Sequence, residues 1–176
     1  LVDDLLELAS LDAQETKLDL EPFNIAELIQ DVVQNYELPA NKKNITLASN
    51  IEEGHSFVIG DIGLVERVLE NLINNALRHT PEGGTVSVIL NPTNDYMNVQ
   101  VLDTGGGIPE DALPHIFDRF YKIDSNLNSS DVVAGFGLGL AIAKRIMDLH
   151  GGGIQVDSEL HEGTRFTFSF PIHSLS

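Results

Sequence analysis

Asp103-Thr104-Gly105-Gly106-Gly107-Ile108-Pro109 and, further along, Gly135-Phe136-Gly137-Leu138-Gly139-Leu140 decide how this chain is read. The first stretch follows residues 97–102, where apolar and polar side chains alternate as in a half-buried strand. The second opens residues 138–149, whose apolar residues recur at helical spacing. A carboxylate at a strand end, followed by glycines, suits a pocket where backbone must approach a flat ligand. Ionised, that carboxylate only accepts hydrogen bonds, so it can fix an exocyclic amine. Glycines just before a helix expose free N–H groups to an anion, and the helix dipole adds to the attraction. Residues 121–134 lie between the two stretches, polar and without periodicity, and read as a mobile loop, with residues 125–133 expected to be its most mobile part. A base pocket, a phosphate-binding helix start and a lid between them point to a nucleotide site.

Outward from that centre the chain alternates helices and strands. Residues 1–11 place Leu1, Leu5, Leu8 and Leu11 at helical spacing and read as the end of an amphipathic helix. Its stripe suits either a partner helix or its own domain. Residues 12–21 form a polar connector ending at Pro22. Asn24 and Glu27 make a capping box for a helix from Ile25 to about Leu38, which Pro39 is expected to stop. Residues 45–51 and 57–59 read as short strands. Asp61 caps a long helix to about His79, ended by Thr80-Pro81-Glu82-Gly83-Gly84. Residues 85–90 and 97–102 form a hairpin through 91–95, and 154–156 and 164–170 are again strand-like. Short turns join the last strands, which predicts an α/β fold of the two-layer α+β kind. Its mixed, mainly antiparallel sheet would carry helices on one face, unlike a doubly wound parallel sheet.

The net charge is −17, from 10 Lys and Arg against 27 Asp and Glu, so a broad surface for nucleic-acid phosphates is not expected. An anionic ligand would need Mg²⁺ and a few local cations to offset that field. The absence of cysteine excludes disulfides and thiolate metal sites. No apolar run is long enough to span a bilayer. The chain opens at Leu1, already inside a helical pattern, as expected of a piece of a longer protein.

Within the long helix Asn71, Asn75 and Arg78 stand at i, i+4 and i+7, read as the face opposite the apolar Val65, Val68, Leu69, Leu72, Ile73 and Ala76. Amide oxygens are hard ligands for Mg²⁺ and a guanidinium pairs phosphate oxygens. Taken alone, such a face is an ordinary solvated one. Phe117 and Phe120 are expected to anchor the base of the lid in the core, with Arg119 and Lys122 as candidates to reach phosphate. The glycine spacing GxGxG, preceded by lid-like residues, does not fit a dinucleotide-binding loop.

In this order the boxes resemble the catalytic and ATP-binding domain of sensor histidine kinases, in the GHKL ATPase superfamily. Asn71-Leu-Ile-Asn-Asn75-Ala matches the asparagine box, Asp103 to Gly107 the first glycine box, and Phe117-Asp-Arg-Phe120 the phenylalanine box. Gly135 to Leu140 matches the second glycine box and Gly163-Thr164-Arg-Phe the last. The resemblance implies a Bergerat-type fold over residues 21–176, with residues 1–20 the end of the dimerisation helix and a linker. It implies that Asn75 ligates Mg²⁺, with Asn71 as second candidate, that Arg78 faces phosphate, and that Asp103 holds the adenine amine. Gly105 and Gly107 would shape the base pocket, and Ile108 and Thr164 belong to the implied ATP-binding set. His79 stands where many members have Tyr. Phe120, Tyr121, Lys122, Gly135, Gly137, Leu138, Gly139 and Leu140 would complete the ATP-binding set. The implied reaction passes the ATP γ-phosphate to a histidine on the dimerisation helix, then to a response-regulator aspartate. The implied setting is the cytoplasmic part of a homodimeric, membrane-anchored sensor.

None of His55, His79, His115, His150, His161 and His173 lies in a His-Glu/Asp-x-x-x-Pro context. The phosphoacceptor is therefore expected upstream, on the dimerisation domain. Rival readings are another GHKL ATPase, an anti-sigma-like serine kinase, and a nucleotide-sensing module without transfer. The first is disfavoured because Asn71 stands where such ATPases carry a water-activating Glu.

Overall fold

The computed structural model describes residues 2–13, 17–52, 54, 56–122 and 137–172. The lid reading and Gly135 fall outside the described residues, as do Leu1, His55 and His173.

Five strands form the main sheet: β2 (Thr46–Ile51), β4 (Thr85–Pro92), β5 (Tyr96–Asp103), β7 (Gly163–Pro171) and β6 (Gly153–Glu159), in that spatial order. The β2–β4 pair is parallel and the other three pairs are antiparallel. The mixed sheet expected from the short turns is thus present. A second sheet pairs β1 (Glu21–Asn24) with β3 (Phe57–Gly60). The sequence reading has no strand here, only the end of a connector at Pro22 and the helix cap Asn24; the four residues of β1 are too few to show a period.

Period-two alternation buries one sheet face: Val86, Val88 and Leu90 on β4, Met97, Val99 and Val101 on β5, and Phe166, Phe168 and Phe170 on β7. On this face pack α2 (Ile25–Lys42), α3 (Ile62–His79) and α4 (Gly139–Leu149). The apolar stripe of α3, Val65, Val68, Leu69, Leu72 and Ile73, is fully buried. Asp61 caps that helix by accepting from the Leu64 N–H at 3.3 Å. Asn24 caps α2, accepting from the N–H groups of Ala26 and Glu27 at 2.9 and 3.3 Å.

The expected stop at Pro39 is wrong: α2 continues through it to Lys42. Proline there removes only the donor to Asn35, and both residues lie on the solvent side, where water can serve that carbonyl. Buried Ala40 then holds the last turn against the core.

The N-terminal α1 (Val2–Asp12) buries Leu8 and Leu11 in the common core, while Val2, Leu5 and Leu6 stay exposed. Arg67 of α3 pairs with Asp4 at 3.0 Å and Glu7 at 3.1 Å. Asp12 accepts from Arg119 and forms an ion pair at 3.2 Å with Arg145 of α4, whose Nε donates to Leu11 O at 3.3 Å.

Candidate functional site

The buried rows of the sheet end in a polar pair. Asp103 follows Val99 and Val101 on the inward side of β5, and Thr164 precedes Phe166 and Phe168 on β7. The register sets Asp103 against Thr164, one step beyond Val101 and Phe166 in the inward row. Each of the two is 8% exposed. The Asp103 carboxylate accepts the Gly105 N–H at 2.9 Å and is also bonded by the Thr164 N–H. Burial raises its pKa from the ordinary carboxylate value, and the two backbone bonds only partly offset this. A separate open cavity of about 370 Å³ has Leu102, Asp157 and Arg165 of the outward rows in its lining and no residue of α3.

The glycines of the first box are required by contact. A side chain on Gly105 would collide with the carbonyl of His79, the last residue of α3. Gly107 has φ of +75° and would collide with the Glu159 carbonyl. The loop is therefore wedged between the end of α3 and the β6–β7 turn. The His161 N–H donates to Gly106 O at 2.8 Å, and the half-buried Ile108 donates its N–H to Ser158 Oγ at 2.7 Å.

The asparagine face of α3 is not a solvated one, as read from periodicity. Asn71 is only 8% exposed and its Nδ2 donates to Gly139 O at 3.0 Å, tying α3 to the start of α4. Two turns on, His79 meets Gly105. Asn75 lies half-buried between these anchors, one turn from each. Its neighbour Asn74 belongs to another face, donating to the Tyr36 hydroxyl at 2.9 Å. Arg78 and His79 emerge at the C-terminal end, where both are exposed. Atoms packed about the His79 ring desolvate it, and Arg78 and Lys43 add positive charge, so its pKa is lowered.

Of the second glycine box, Gly137 O accepts the Phe120 N–H at 3.0 Å, which joins the chain on either side of residues 123–136. Leu138 is fully buried at the N-cap of α4, where no side chain caps the helix, and Leu140 is half-buried. The backbone N–H groups of this helix start remain available to an anion.

The phenylalanine box divides. Phe117 packs edge-on against Phe166, with ring centroids 6.1 Å apart, as expected of an anchor. Phe120 does not enter the core: it is 55% exposed with φ of +64°, turned outward where the backbone reverses. Tyr121 takes the inner place, half-buried with its ring 5.6 Å from that of His115. Arg119 is paired with Asp12 of α1, and Lys122 is exposed.

Ser158 was missed from the sequence, although a signal exists. It continues the inward row of Ile154 and Val156 as a polar residue just before a turn. Among the described residues no group of three or more His, Cys, Asp and Glu could hold a metal ion. The donors present are amide oxygens. These fit a Mg²⁺ that arrives on a triphosphate and takes only one or two ligands from protein.

Comparison with known proteins agrees with this arrangement. Residues 60–174 match the family model described as histidine kinase-, DNA gyrase B-, and HSP90-like ATPase. The sensor histidine kinase WalK of Bacillus subtilis (strain 168) is 34% identical over 173 residues, covering 97% of this chain and 28% of WalK. Full-length ShkA, solved in complex with AMPPNP, superposes with a TM-score of 0.86 at 32% identity, over 97% of this chain and 35% of ShkA. Histidine kinase ThkA in complex with the response regulator TrrA gives a TM-score of 0.75 at 27% identity, over 97% of this chain and 48% of ThkA. The chain thus spans well under half the length of WalK and ShkA. With its Asp103–Thr164 pair at the sheet end and its asparagine helix above, it belongs to the histidine kinase-, DNA gyrase B- and HSP90-like ATPases, as a catalytic ATP-binding domain of the histidine kinase type.

Proposed function

We propose that this domain binds MgATP and delivers the γ-phosphate to a histidine on a dimerisation domain of the same protein, from which a response-regulator aspartate takes it. Residues 21–176 form the catalytic domain and residues 1–20 the end of the dimerisation helix with its linker. The whole protein is a homodimeric sensor with this part in the cytoplasm. Among the described residues no helix is long and apolar enough to cross a membrane.

The observation that carries this reading is the placement of Asp103 at the inner end of β5, held by two backbone N–H groups and wedged beneath the end of α3. That carboxylate accepts the adenine amine. Asn75 offers an amide oxygen to Mg²⁺, with Asn71 beside it. The bound ion would neutralise phosphate charge, as phosphoryl transfer requires. Arg78 faces the phosphates, while the start of α4 offers its N–H groups to them. Transfer of this kind is mostly positioning, and the acceptor comes from outside the chain. Hydrolysis to water is not favoured, because Asn71 is no base and its amide is engaged with Gly139.

Two measurements test the proposal. Calorimetric titration should show ATP binding that strengthens with Mg²⁺. Labelled ATP should pass its γ-phosphate to a supplied dimerisation domain but leave no label on this chain alone. Binding without any transfer would favour a nucleotide-sensing module.

A further inference from the structure

Ser158 sits at the centre of a closed hydrogen-bond set. It accepts the Ile108 N–H at 2.7 Å and donates to Gly163 O at 2.8 Å, and its Oγ lies 3.0 Å from Thr164 Oγ1. A serine hydroxyl has one proton, and a carbonyl can only accept. The Ser158 proton is therefore committed to Gly163, so the short contact with Thr164 requires Thr164 to donate. Ser158 is then saturated, with one donation and two acceptances. Thr164 is left with lone pairs only.

This has a consequence for the pocket. Thr164 and Asp103 face each other across the β5–β7 register at the inward end of the sheet, and Ser158 ends the inward row of β6 beside Thr164. With the Thr164 proton turned toward Ser158, both side chains present acceptors. Such a wall welcomes the N6 amine of adenine and repels the 6-carbonyl of hypoxanthine or guanine. We propose that Ser158 is a positioning residue for base selection: it fixes the direction of the Thr164 hydroxyl and pins the glycine loop through Ile108. The inference rests on the adenine-binding reading of Asp103. It adds that discrimination between 6-amino and 6-oxo purines is set by a residue that does not itself touch the base.

The same set explains why the loop and the hairpin turn act together. Gly107 packs on Glu159, Gly106 accepts from His161, and Ile108 donates to Ser158, so the β6–β7 turn braces the pocket from below. Removing the Ser158 hydroxyl leaves the Ile108 N–H without its acceptor and frees the Thr164 hydroxyl to rotate toward the base.

The test compares ADP with IDP by calorimetry in wild type, Ser158→Ala, Ser158→Cys and Ser158→Thr. Ser158→Ala should weaken ADP about tenfold, the scale of one or two lost hydrogen bonds. It should weaken IDP much less, so that the ADP/IDP affinity ratio falls. Ser158→Cys keeps the volume with a poor hydrogen-bonding group, and should shift the ratio the same way if the alanine variant does not fold. Ser158→Thr retains a hydroxyl and should restore the ratio. Equal weakening of both nucleotides, or an unchanged ratio in a folded variant, would overturn the role in selection and leave Ser158 as a brace only. Wild type that binds neither nucleotide would sink the adenine reading itself, as would undiminished ADP affinity in Asp103→Asn. A wild type that prefers ADP while Ser158→Ala keeps that preference would sink this inference alone.

Discussion

Asp103 serves two opposed demands. Its carboxylate is buried, which raises its pKa, yet an acceptor for an amine must be ionised. Because the folded pKa lies above the unfolded one, the charge weakens the fold. The relative stability is full below the unfolded pKa and is lost as pH rises toward the folded one. Asp103→Asn should therefore leave the ligand-free Tm at neutral pH equal to or above that of wild type, since the amide oxygen can still accept from Gly105. The same variant turns a donor toward the adenine amine and should lose about 3 kcal/mol of ATP binding, roughly 150-fold. Full ATP affinity in the folded variant would remove Asp103 from the base pocket. In wild type, ATP affinity should fall as acid protonates this carboxylate. Asn75→Ala should reduce the Mg²⁺ enhancement of ATP binding about tenfold with little change in Tm, whereas an unchanged metal titration would exclude Asn75 as ligand. These residues were legible because their chemistry is tied to short spacings: a carboxylate before glycines, and amides four apart on a helix. Ser158 was not, because its partners Ile108 and Thr164 lie on other segments, and only the register brings them together.

Among the elements, the sequence pattern marked the long helices and the hairpin well and their ends poorly. Both helix starts carried a cap that could be read, Asn24 and Asp61, because capping is local. The end of α2 was misread because proline forbids a helix only where the missing N–H or the ring has no outlet, and at Pro39 solvent provides one. The end of α3 shows the converse case. Leu77 O would normally receive the N–H four residues on, but that residue is Pro81, which has none. Lys43, just past α2, supplies the donor, its Nζ lying 2.6 Å from Leu77 O. A charge-assisted bond of this kind is worth about 1.5 kcal/mol or somewhat more. Lys43→Met should therefore lower the Tm by about 3–6 °C, while Lys43→Arg should recover part of the loss. Since α3 carries Arg78 and His79 in the same turn, Lys43→Met should also loosen amide protection there. A Tm change below about 1 °C would show that water replaces the lysine without penalty.

At the scale of the whole molecule, the question is what holds α1 against the catalytic domain. Two devices compete: the burial of Leu8 and Leu11, and the ion pairs of Arg67 with Asp4 and Glu7 and of Asp12 with Arg119 and Arg145. The side chains of Arg67, Asp4 and Glu7 are 30%, 32% and 27% exposed, and that of Arg119 is 53% exposed. Pairs so open to water contribute about 0.2–1 kcal/mol each and weaken with salt. Each leucine, 2% and 4% exposed, contributes more, because truncating a buried leucine costs about 2–5 kcal/mol. Burial therefore dominates, and the ion pairs set the orientation of α1 more than its affinity for α3 and α4. Beyond these pairs, α1 rests mainly on α4, so it should open locally while the sheet stays folded. Leu8→Ala is accordingly expected to speed hydrogen exchange across Val2–Asp12 by about 50-fold, leaving β5 and β7 protected. Asp12→Asn should speed it less than about fivefold, and raising salt should have a similarly small effect. If Asp12→Asn released the helix as fully as Leu8→Ala, charge and not burial would be what couples α1 to the base of the lid through Arg119.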